Sequence, residues 1–312
     1  MQDYHKPVLL NEVLALIDPK PGGVFVDATC GGGGHSEEIL KKILPQGLLI
    51  GIDKDSEALN YAKERLKKYS ENLILVKSNF SDLLKILKDQ NIEKIDGILF
   101  DLGVSSHQLD SSRGFSFMRD EQLDMRMDKD EDIPTAKDIV NFWSKESLVD
   151  IFRKYGEERY SEKIASAILE RRKNSPIETT LELANIIKDS VPSKYRYGDI
   201  HPATRVFQAI RIAVNSELEI IETAIKDAVE VLKIEGKICV ISFHSLEDRI
   251  VKETFKDLSG RCKCPKKIPV CVCGTEKIVE IITSKPIVPS DDEVRINRRS
   301  RSAKLRCAKK VK

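Results

Sequence analysis

The 312-residue sequence has no long apolar run, and none approaches the roughly 18 uncharged residues that a membrane-spanning helix needs. It also lacks a signal-peptide pattern, because acidic residues interrupt the apolar stretch near the N-terminus and no small-residue cleavage site follows. Cysteine is scarce: the seven present are an odd number, which is typical of a reducing compartment and excludes a disulfide-stapled mini-protein. We therefore expect a cytoplasmic protein that does not enter a membrane.

An excess of one charge is also missing, since 52 Lys and Arg face 50 Asp and Glu. Taken alone, this near neutrality argues against a nucleic-acid partner. The charges are unevenly placed, however: residues 295–312 hold nine Lys and Arg and no acid, whereas the rest of the chain is net acidic. The sequence therefore predicts a basic arm on an acidic body, and such an arm would contact phosphates.

With 41% hydrophobic and 33% charged residues, the chain has the composition of a globular protein, and its length suggests two domains. Apolar, β-rich runs alternate with helical patterns in the first hundred residues, which predicts a parallel α/β sheet. The predicted strands there are residues 24–28, 48–52, 73–76 and 95–100.

Residues 111–196 contain helical patterns and no convincing strand. Residues 203–234 are then interpreted as one long helix, followed by a buried strand at 237–243 and a closing strand pair. We expect a discontinuous α/β domain made of residues 1–110 and 200–312, with an inserted helical substrate domain at 111–199.

A glycine-rich loop, residues 31–34, follows the first predicted strand and opens a helix. Asp53 ends the second strand, where an acid accepts hydrogen bonds from ribose hydroxyls. Ser36 replaces the third glycine of a dinucleotide fingerprint, and Asp27 adds a buried acid beside the loop. A negative charge there suits a cationic ligand such as S-adenosylmethionine (SAM) better than a pyrophosphate. The alternative is a tight turn that binds nothing.

Two further strand ends fit this site. Phe80 follows the third strand, where an aromatic ring stacks on adenine or simply packs in the core. Asp101 ends the fourth strand, where such folds place the group that handles the acceptor, although a strand-terminal Asp also caps turns.

Motifs along most of the chain make it resemble the bacterial 16S rRNA cytosine-N4 methyltransferases. They are HKPVLL (5–10), DATCGGGGHS (27–36), DLGVSSHQLD (101–110), RGFSFMRD (113–120), LDMRMD (123–128), YGEER (155–159), HPATRVFQ (201–208), VNSEL (214–218) and SFHSLEDR (242–249). The resemblance implies a class I SAM-dependent methyltransferase fold, Rossmann-like, with an inserted all-helical domain. It implies methylation of the N4 amine of the cytosine at position 1402, near the ribosomal P site, in 16S rRNA of the small ribosomal subunit. The cofactor contacts that it implies are Gly33, Gly34, His35, Asp53, Phe80, Asp101 and Gln108.

The chemistry calls for an acceptor of a hydrogen bond from the target amine, and the candidates are the Asp101 carboxylate and a backbone carbonyl. Asn215, on a polar helix face with Thr204, Gln208 and Arg211, and His244, after the fifth strand, are further candidates for the catalytic site. Their alternatives are a solvated helix face and a turn-capping histidine. The chain lacks the Pro-Pro-aromatic motif of many amino-methylating enzymes, so the residue that stacks on the base stays open. The candidates are Phe115, Phe117 and Phe243.

Four cysteines form a repeated C-x-C pattern: Cys262, Cys264, Cys271 and Cys273. They are a candidate structural zinc site, with two disulfides or four free thiols as alternatives. Competing functions also remain: methylation of DNA or a small molecule, or a ribosome assembly factor that binds SAM without catalysis. The sequence does not decide between a monomer and a homodimer.

Overall fold

The computed structural model describes residues 7–105, 108–109, 111–198, 200–262, 264 and 273–312. The chain forms two compact units: Met1–Gly103 with Leu218–Lys312 make the first, and Val104–Glu217 makes the second. The second unit is larger than the predicted 111–199 segment, because the helix at residues 203–215 packs on its other helices.

The first half of the first unit alternates helices and strands. Its elements are α1 (Leu10–Ile17), β1 (Val24–Asp27), α2 (Gly34–Ile43), β2 (Leu48–Asp53), α3 (Ser56–Arg65), β3 (Leu73–Lys77), α4 (Leu83–Asp89) and β4 (Ile95–Asp101). The second unit then contributes α5 (Ala136–Phe142), α6 (Lys145–Lys154), α7 (Ser161–Arg172), α8 (Thr180–Ser190), α9 (Ser193–Arg196) and α10 (Ala203–Asn215). The first unit is completed by α11 (Ile221–Val231), β5 (Leu232–Ser242), α12 (Ser245–Leu258), β6 (Val279–Ile281), α13 (Asp291–Ile296) and β7 (Lys304–Lys310).

Seven strands of the first unit form one sheet in the order β3-β2-β1-β4-β5-β7-β6. The first five strands in that order are parallel, and β7 runs antiparallel to both of its neighbours. The strand order changes direction after β1, so the carboxyl ends of β1 and β4 flank a crevice of the kind that binds ligands in doubly wound sheets. The α/β, Rossmann-like fold class predicted from the sequence is confirmed.

The sheet is sandwiched between two apolar layers. Val26, Ile50 and Ile98 are fully buried in one layer, against α4 and α11, while Leu49 and Leu99 are fully buried in the other. Both faces of these strands are therefore covered, which is why they appear in the sequence as near-continuous apolar runs. Among the described residues, no helix is long and apolar enough to cross a membrane.

The prediction of one long helix at 203–234 is wrong. Helix α10 ends at Asn215, because Ser216 adopts a left-handed conformation (φ 50°) and its N–H bonds back to the carbonyl of Ile212. A new helix, α11, starts at Ile221, and β5 begins at Leu232, well before the predicted strand. The apolar period continues on both sides of the break, so periodicity alone does not reveal it.

The predicted basic arm is wrong in part, because four of its nine cations, Lys304, Arg306, Lys309 and Lys310, belong to strand β7. Arg306 is buried in β7 and forms two hydrogen bonds with Asp248, at 2.6 and 3.2 Å. Lys309 pairs with Glu235 at 2.9 Å, and Lys310 donates to the carbonyl of Glu230. These β7 charges are used inside the fold. The other five cations, Arg295, Arg298, Arg299, Arg301 and Lys312, are exposed.

Candidate functional site

Three acidic residues mark the carboxyl edge of the parallel sheet. Asp27, Asp53 and Asp101 are the last residues of β1, β2 and β4, which are adjacent strands. Parallel strands bring their carboxyl ends to the same edge of the sheet. These acids are therefore close together in the fold although they are far apart in the sequence. The edge is the predicted cofactor site.

The loop after β1 is fixed between its neighbouring strands by backbone hydrogen bonds. The Ala28 N–H donates to the carbonyl of Leu99 in β4, and the Cys30 N–H donates to Ile52 in β2. The Asp53 carboxylate then receives the Gly31 N–H at 2.7 Å and the Asp55 N–H at 2.8 Å, one on each oxygen. Asp53 thus holds the glycine loop in place and lies directly beside it.

The glycines of the loop meet a backbone requirement. Gly31 and Gly33 have positive φ values of 52° and 76°, a region that L side chains rarely adopt. A Cβ at Gly33 would also lie 3.0 Å from Cδ1 of Leu66. Gly33 caps α2 without any side-chain hydrogen bond, so the first amides of the helix face the loop. A helix N-terminus of this type attracts negative or hydrogen-bond-accepting groups.

Asp27 explains why the third fingerprint glycine is a serine. The Ser36 hydroxyl donates to Oδ2 of Asp27 at 2.6 Å, and both side chains are buried. Burial raises the pKa of Asp27 to about 6, and the hydrogen bond from Ser36 opposes this shift. Burial likewise raises the pKa of Asp53 to about 6. Sequence reasoning noted Ser36 as a departure but missed this role.

Asp101 is held by its backbone while part of its carboxyl group is left without a partner. Its N–H donates to the Thr29 hydroxyl at 2.6 Å, a contact that sequence reasoning missed. Its Oδ1 is buried and has no hydrogen-bond partner among the described residues. Burial, together with the nearby Asp27 and Glu247, raises the pKa of Asp101 well above its usual value. A buried oxygen of this kind costs free energy unless a ligand group satisfies it.

His35 lies next to Asp101, as predicted for a cofactor-site residue. Its Nε2 lies 3.0 Å from the carbonyl of Val8, which accepts only, so Nε2 carries the proton. Burial lowers the pKa of His35 to about 4, which makes the ring neutral at physiological pH. The unprotonated Nδ1 therefore faces Oδ2 of Asp101 at 3.7 Å and contributes no positive charge.

The three carboxyl groups make this edge suitable for a cation. Within the described part of the chain, none of Asp27, Asp53 and Asp101 pairs with a Lys or Arg side chain. Buried carboxylates without a cationic partner raise each other's pKa, and a bound positive charge reverses that cost. The residues present therefore fit the sulfonium and amino groups of SAM.

Phe80 follows β3 at the same edge of the sheet. Its ring packs edge to face on Phe100, with centroids 5.6 Å apart, and it is only half-buried. One face of the ring is therefore not enclosed by the core, which fits the predicted contact with adenine.

His244 caps a helix, which is the alternative that sequence reasoning had left open. Its Nδ1 accepts the Glu247 N–H at 3.4 Å, and Glu247 in turn accepts the N–H groups of Phe243 and His244. This capping box starts α12 immediately after β5. The buried Glu247 was missed from the sequence, because the known cap signal is S/T-x-x-E and here a histidine takes the first position.

The remaining candidates lie in the second unit. Asn215 donates both Nδ2 hydrogens, to the carbonyls of Met125 and Arg211, and its Oδ1 accepts the Met127 N–H at 2.8 Å. It therefore positions the 125–127 loop, and its catalytic role stays a prediction. Gln108 is buried and accepts the Ser105 N–H at 2.9 Å.

Other polar residues of α10 are used in the same way. Gln208 donates to the carbonyl of Tyr155 at 3.0 Å, and Arg211 forms two 2.8 Å hydrogen bonds with Glu217. The predicted polar face thus binds the second unit's own backbone and acids.

The aromatic candidates for base stacking differ in exposure. Phe115 is buried in the second unit and is unavailable. Phe117 stacks on His201 with centroids 4.7 Å apart and packs edge to face on Phe207. Phe243, in the first unit, is half-buried. Phe117 and Phe243 remain the candidates.

Three of the four patterned cysteines come together. The Sγ atoms of Cys262, Cys264 and Cys273 all lie within 4.8 Å of one another. Cys271, the fourth predicted zinc ligand, lies outside the described residues.

Comparison with known proteins shows which family the chain belongs to. Residues 2–311 match the model of the MraW methylase family. The chain is 53% identical over 312 residues to the "Ribosomal RNA small subunit methyltransferase H" of Clostridium botulinum (strain Loch Maree / Type A3), and 51% identical over 312 residues to the protein of the same name from Clostridioides difficile (strain 630), covering all of each chain.

Solved structures show more distant likeness. An rRNA methylase from Streptococcus thermophilus matches with a TM-score of 0.42 and 11% identity, covering 97% of this chain and 94% of that one. A SAM-dependent O-methyltransferase from Thermotoga maritima matches with a TM-score of 0.43 and 11% identity, covering 100% and 69%. On the full-length family match and the close relatives, the chain belongs to the MraW methylase family.

Proposed function

We propose that this methyltransferase transfers a methyl group from SAM to the exocyclic N4 amine of cytosine 1402 in 16S rRNA of the small ribosomal subunit. The observation that carries the proposal is Oδ1 of Asp101: it is buried, lacks a partner among the described residues and lies at the carboxyl edge of the sheet. Such an oxygen is suited to a ligand N–H. The relatives' printed name supports small-subunit rRNA as the substrate.

The cofactor would be held by residues 31–34, His35, Asp53 and Phe80, with Gln108 as a proposed further contact. When bound, SAM supplies an electrophilic methyl group on a sulfonium. Asp53 would accept hydroxyl hydrogen bonds in addition to the two backbone N–H groups that it already receives. The three acids of the edge would balance the positive charge.

Asp101 would activate the amine. The lone pair of a cytosine N4 amine is delocalised into the ring, so the group is a poor nucleophile. A hydrogen bond from the amine to the Asp101 carboxylate draws the lone pair toward nitrogen and stabilises the positive charge that develops there. Transfer would form the N–C bond and break the methyl–sulfur bond of SAM, whose electron pair would return to sulfur. Asp101 would accept the proton that the nitrogen loses. Its raised pKa suits that step.

The state of the cysteines argues against the main chemical alternative. Methylation at cytosine C5 requires a thiolate that attacks the ring. Burial raises the pKa of Cys30 well above its usual value, and hydrogen bonding to Cys307 together with burial does the same to Cys239. Both thiols are therefore inert packing groups.

Contact with RNA phosphates would use the exposed arginines just before β7. Arg298 and Arg301 lie in a single 3-10 turn, Arg298–Ser302, and both are exposed. Both belong to the part of the predicted basic segment that lies outside β7. A small-molecule substrate would not need these cations.

The proposal is tested with labelled SAM and small ribosomal subunits from cells that lack the modification. Label in the 16S rRNA, recovered as N4-methylated cytidine after nuclease digestion, supports it. Label in DNA or in a small molecule but not in rRNA would overturn it, and binding to subunits without any transfer would instead indicate an assembly factor.

A further inference from the structure

The loop between α12 and β6 has a fixed base. Ser259 pairs with Lys277 as an antiparallel bridge, and the Ile278 N–H donates to the carbonyl of Leu258 at 2.8 Å. Just above this bridge the Thr275 hydroxyl donates to the carbonyl of Gly260 at 3.3 Å. The two ends of the loop are therefore held side by side, and the cysteines lie next to these paired ends.

The spacing of the thiols does not fit a disulfide. The Sγ atoms of Cys262 and Cys273 lie 3.8 Å apart, whereas bonded sulfurs are about 2.05 Å apart. All three described thiols, with Cys264, fall within 4.8 Å of one another. Hydrophobic packing does not explain the convergence either, because Cys262 is exposed and the other two are half-buried.

The same spacing fits a tetrahedral metal centre. A zinc–thiolate bond is about 2.3 Å long, and two ligands of a tetrahedron are then about 3.8 Å apart. That is the distance between Cys262 and Cys273. Gly274 follows Cys273 and has a φ of 59°, and a Cβ at this position would contact nothing within 4 Å. Glycine is therefore favoured here by the positive φ of the turn and not by a lack of space.

We propose that Cys262, Cys264 and Cys273 bind one structural zinc ion that fastens the loop between α12 and β6. The bridge between Ser259 and Lys277 fixes the two ends of the loop, and the three thiolates bind the metal between them. The site is separate from the carboxyl edge of the sheet and needs no step of methyl transfer.

The test is the metal content of the full chain, purified without added zinc or chelator and measured by mass spectrometry under native and denaturing conditions. We expect one zinc per chain in the native spectrum and a fully reduced mass after denaturation. A zinc content well below one, or a denatured mass lighter by the hydrogens of a disulfide, would overturn the proposal.

Variants separate metal binding from folding. Cys262→Ser and Cys273→Ser should lose zinc, whereas Thr275→Ala, which removes the hydroxyl 3.4 Å from the Cys273 sulfur but no thiol, should keep it. If the serine variants fail to fold, titration of the wild-type protein with a mercurial thiol reagent replaces them. Zinc released in step with thiol modification supports the site, and thiol modification that releases no zinc contradicts it.

Discussion

Replacing Asp53 by Asn should weaken cofactor binding far more than it weakens the fold. The carboxylate accepts two backbone N–H groups, and an amide oxygen keeps only one of these bonds. Leaving a buried N–H unsatisfied costs about 1–3 kcal/mol. Against this, a carboxyl pKa raised to about 6 means that burying the charge already costs about 3 kcal/mol at neutral pH, and Asn removes that cost. In the free protein, the cost of the lost hydrogen bond and the gain from removing the buried charge nearly cancel.

The free energy of SAM binding is not compensated in this way. Hydrogen bonds to a charged group contribute about 1.5–3 kcal/mol, so the Asn variant should bind SAM roughly 10- to 100-fold more weakly. Calorimetric titration gives the Kd, and urea unfolding of the free protein gives the stability, which should change by less than about 2 kcal/mol.

The matched control is Asp96→Asn. Asp96 lies at the start of β4, at the opposite edge of the sheet, and accepts the Val24 N–H at 2.8 Å. The Asp96→Asn substitution removes a comparable acid from the same unit without changing the contacts of the glycine-rich loop. The reasoning is refuted if Asp53→Asn binds SAM within about twofold of wild type, or if Asp96→Asn shows the same loss of affinity.

Four other outcomes are expected. Asp101→Asn should lower kcat about 100- to 1000-fold, because it removes the proton acceptor, and leave the affinity for RNA unchanged; equal losses in both would contradict its role. Lowering the pH from about 7 to 5 should weaken SAM binding, since carboxyls with pKa values of about 6 become neutral and a cation prefers the ionised form; calorimetry showing a Kd that does not change with pH would count against this. The same raised pKa values act in the opposite direction on the free protein, whose stability from these groups is present below about pH 4 and lost as the pH rises through about 6. Arg298→Ala with Arg301→Ala should reduce the slope of log affinity for RNA against log salt by about 1.5, and an unchanged slope would show that these side chains are only solvated.

Much of the cofactor edge could be predicted from the sequence, because each feature is local. An apolar run followed by glycines or by an acid marks a strand end, and parallel strands place such ends together. Asp27, Asp53 and Asp101 were found in this way, and the structure gathers them at one edge. The partners that hold them were missed, since Thr29 reaches Asp101 across 72 positions in sequence.

Some of the wrong predictions concern contacts between residues that are distant in sequence. The cations of β7 look like a solvated tail until Asp248, 58 residues away, is seen to receive Arg306. Deleting residues 298–312 would remove β7 from the sheet, so point substitutions are the suitable test of the exposed arginines. The break at Ser216 was missed for another reason: its left-handed turn does not use glycine, the residue that usually announces a helix end.

The most direct test of the central claim is mass spectrometry of the methylated nucleoside, with small subunits lacking the modification as substrate and the wild-type and Asp101→Asn proteins compared. We expect N4-methylated cytidine in 16S rRNA with the wild-type protein and about 100-fold slower formation with the variant. Methylation at carbon 5, or wild-type rates in the variant, would contradict it.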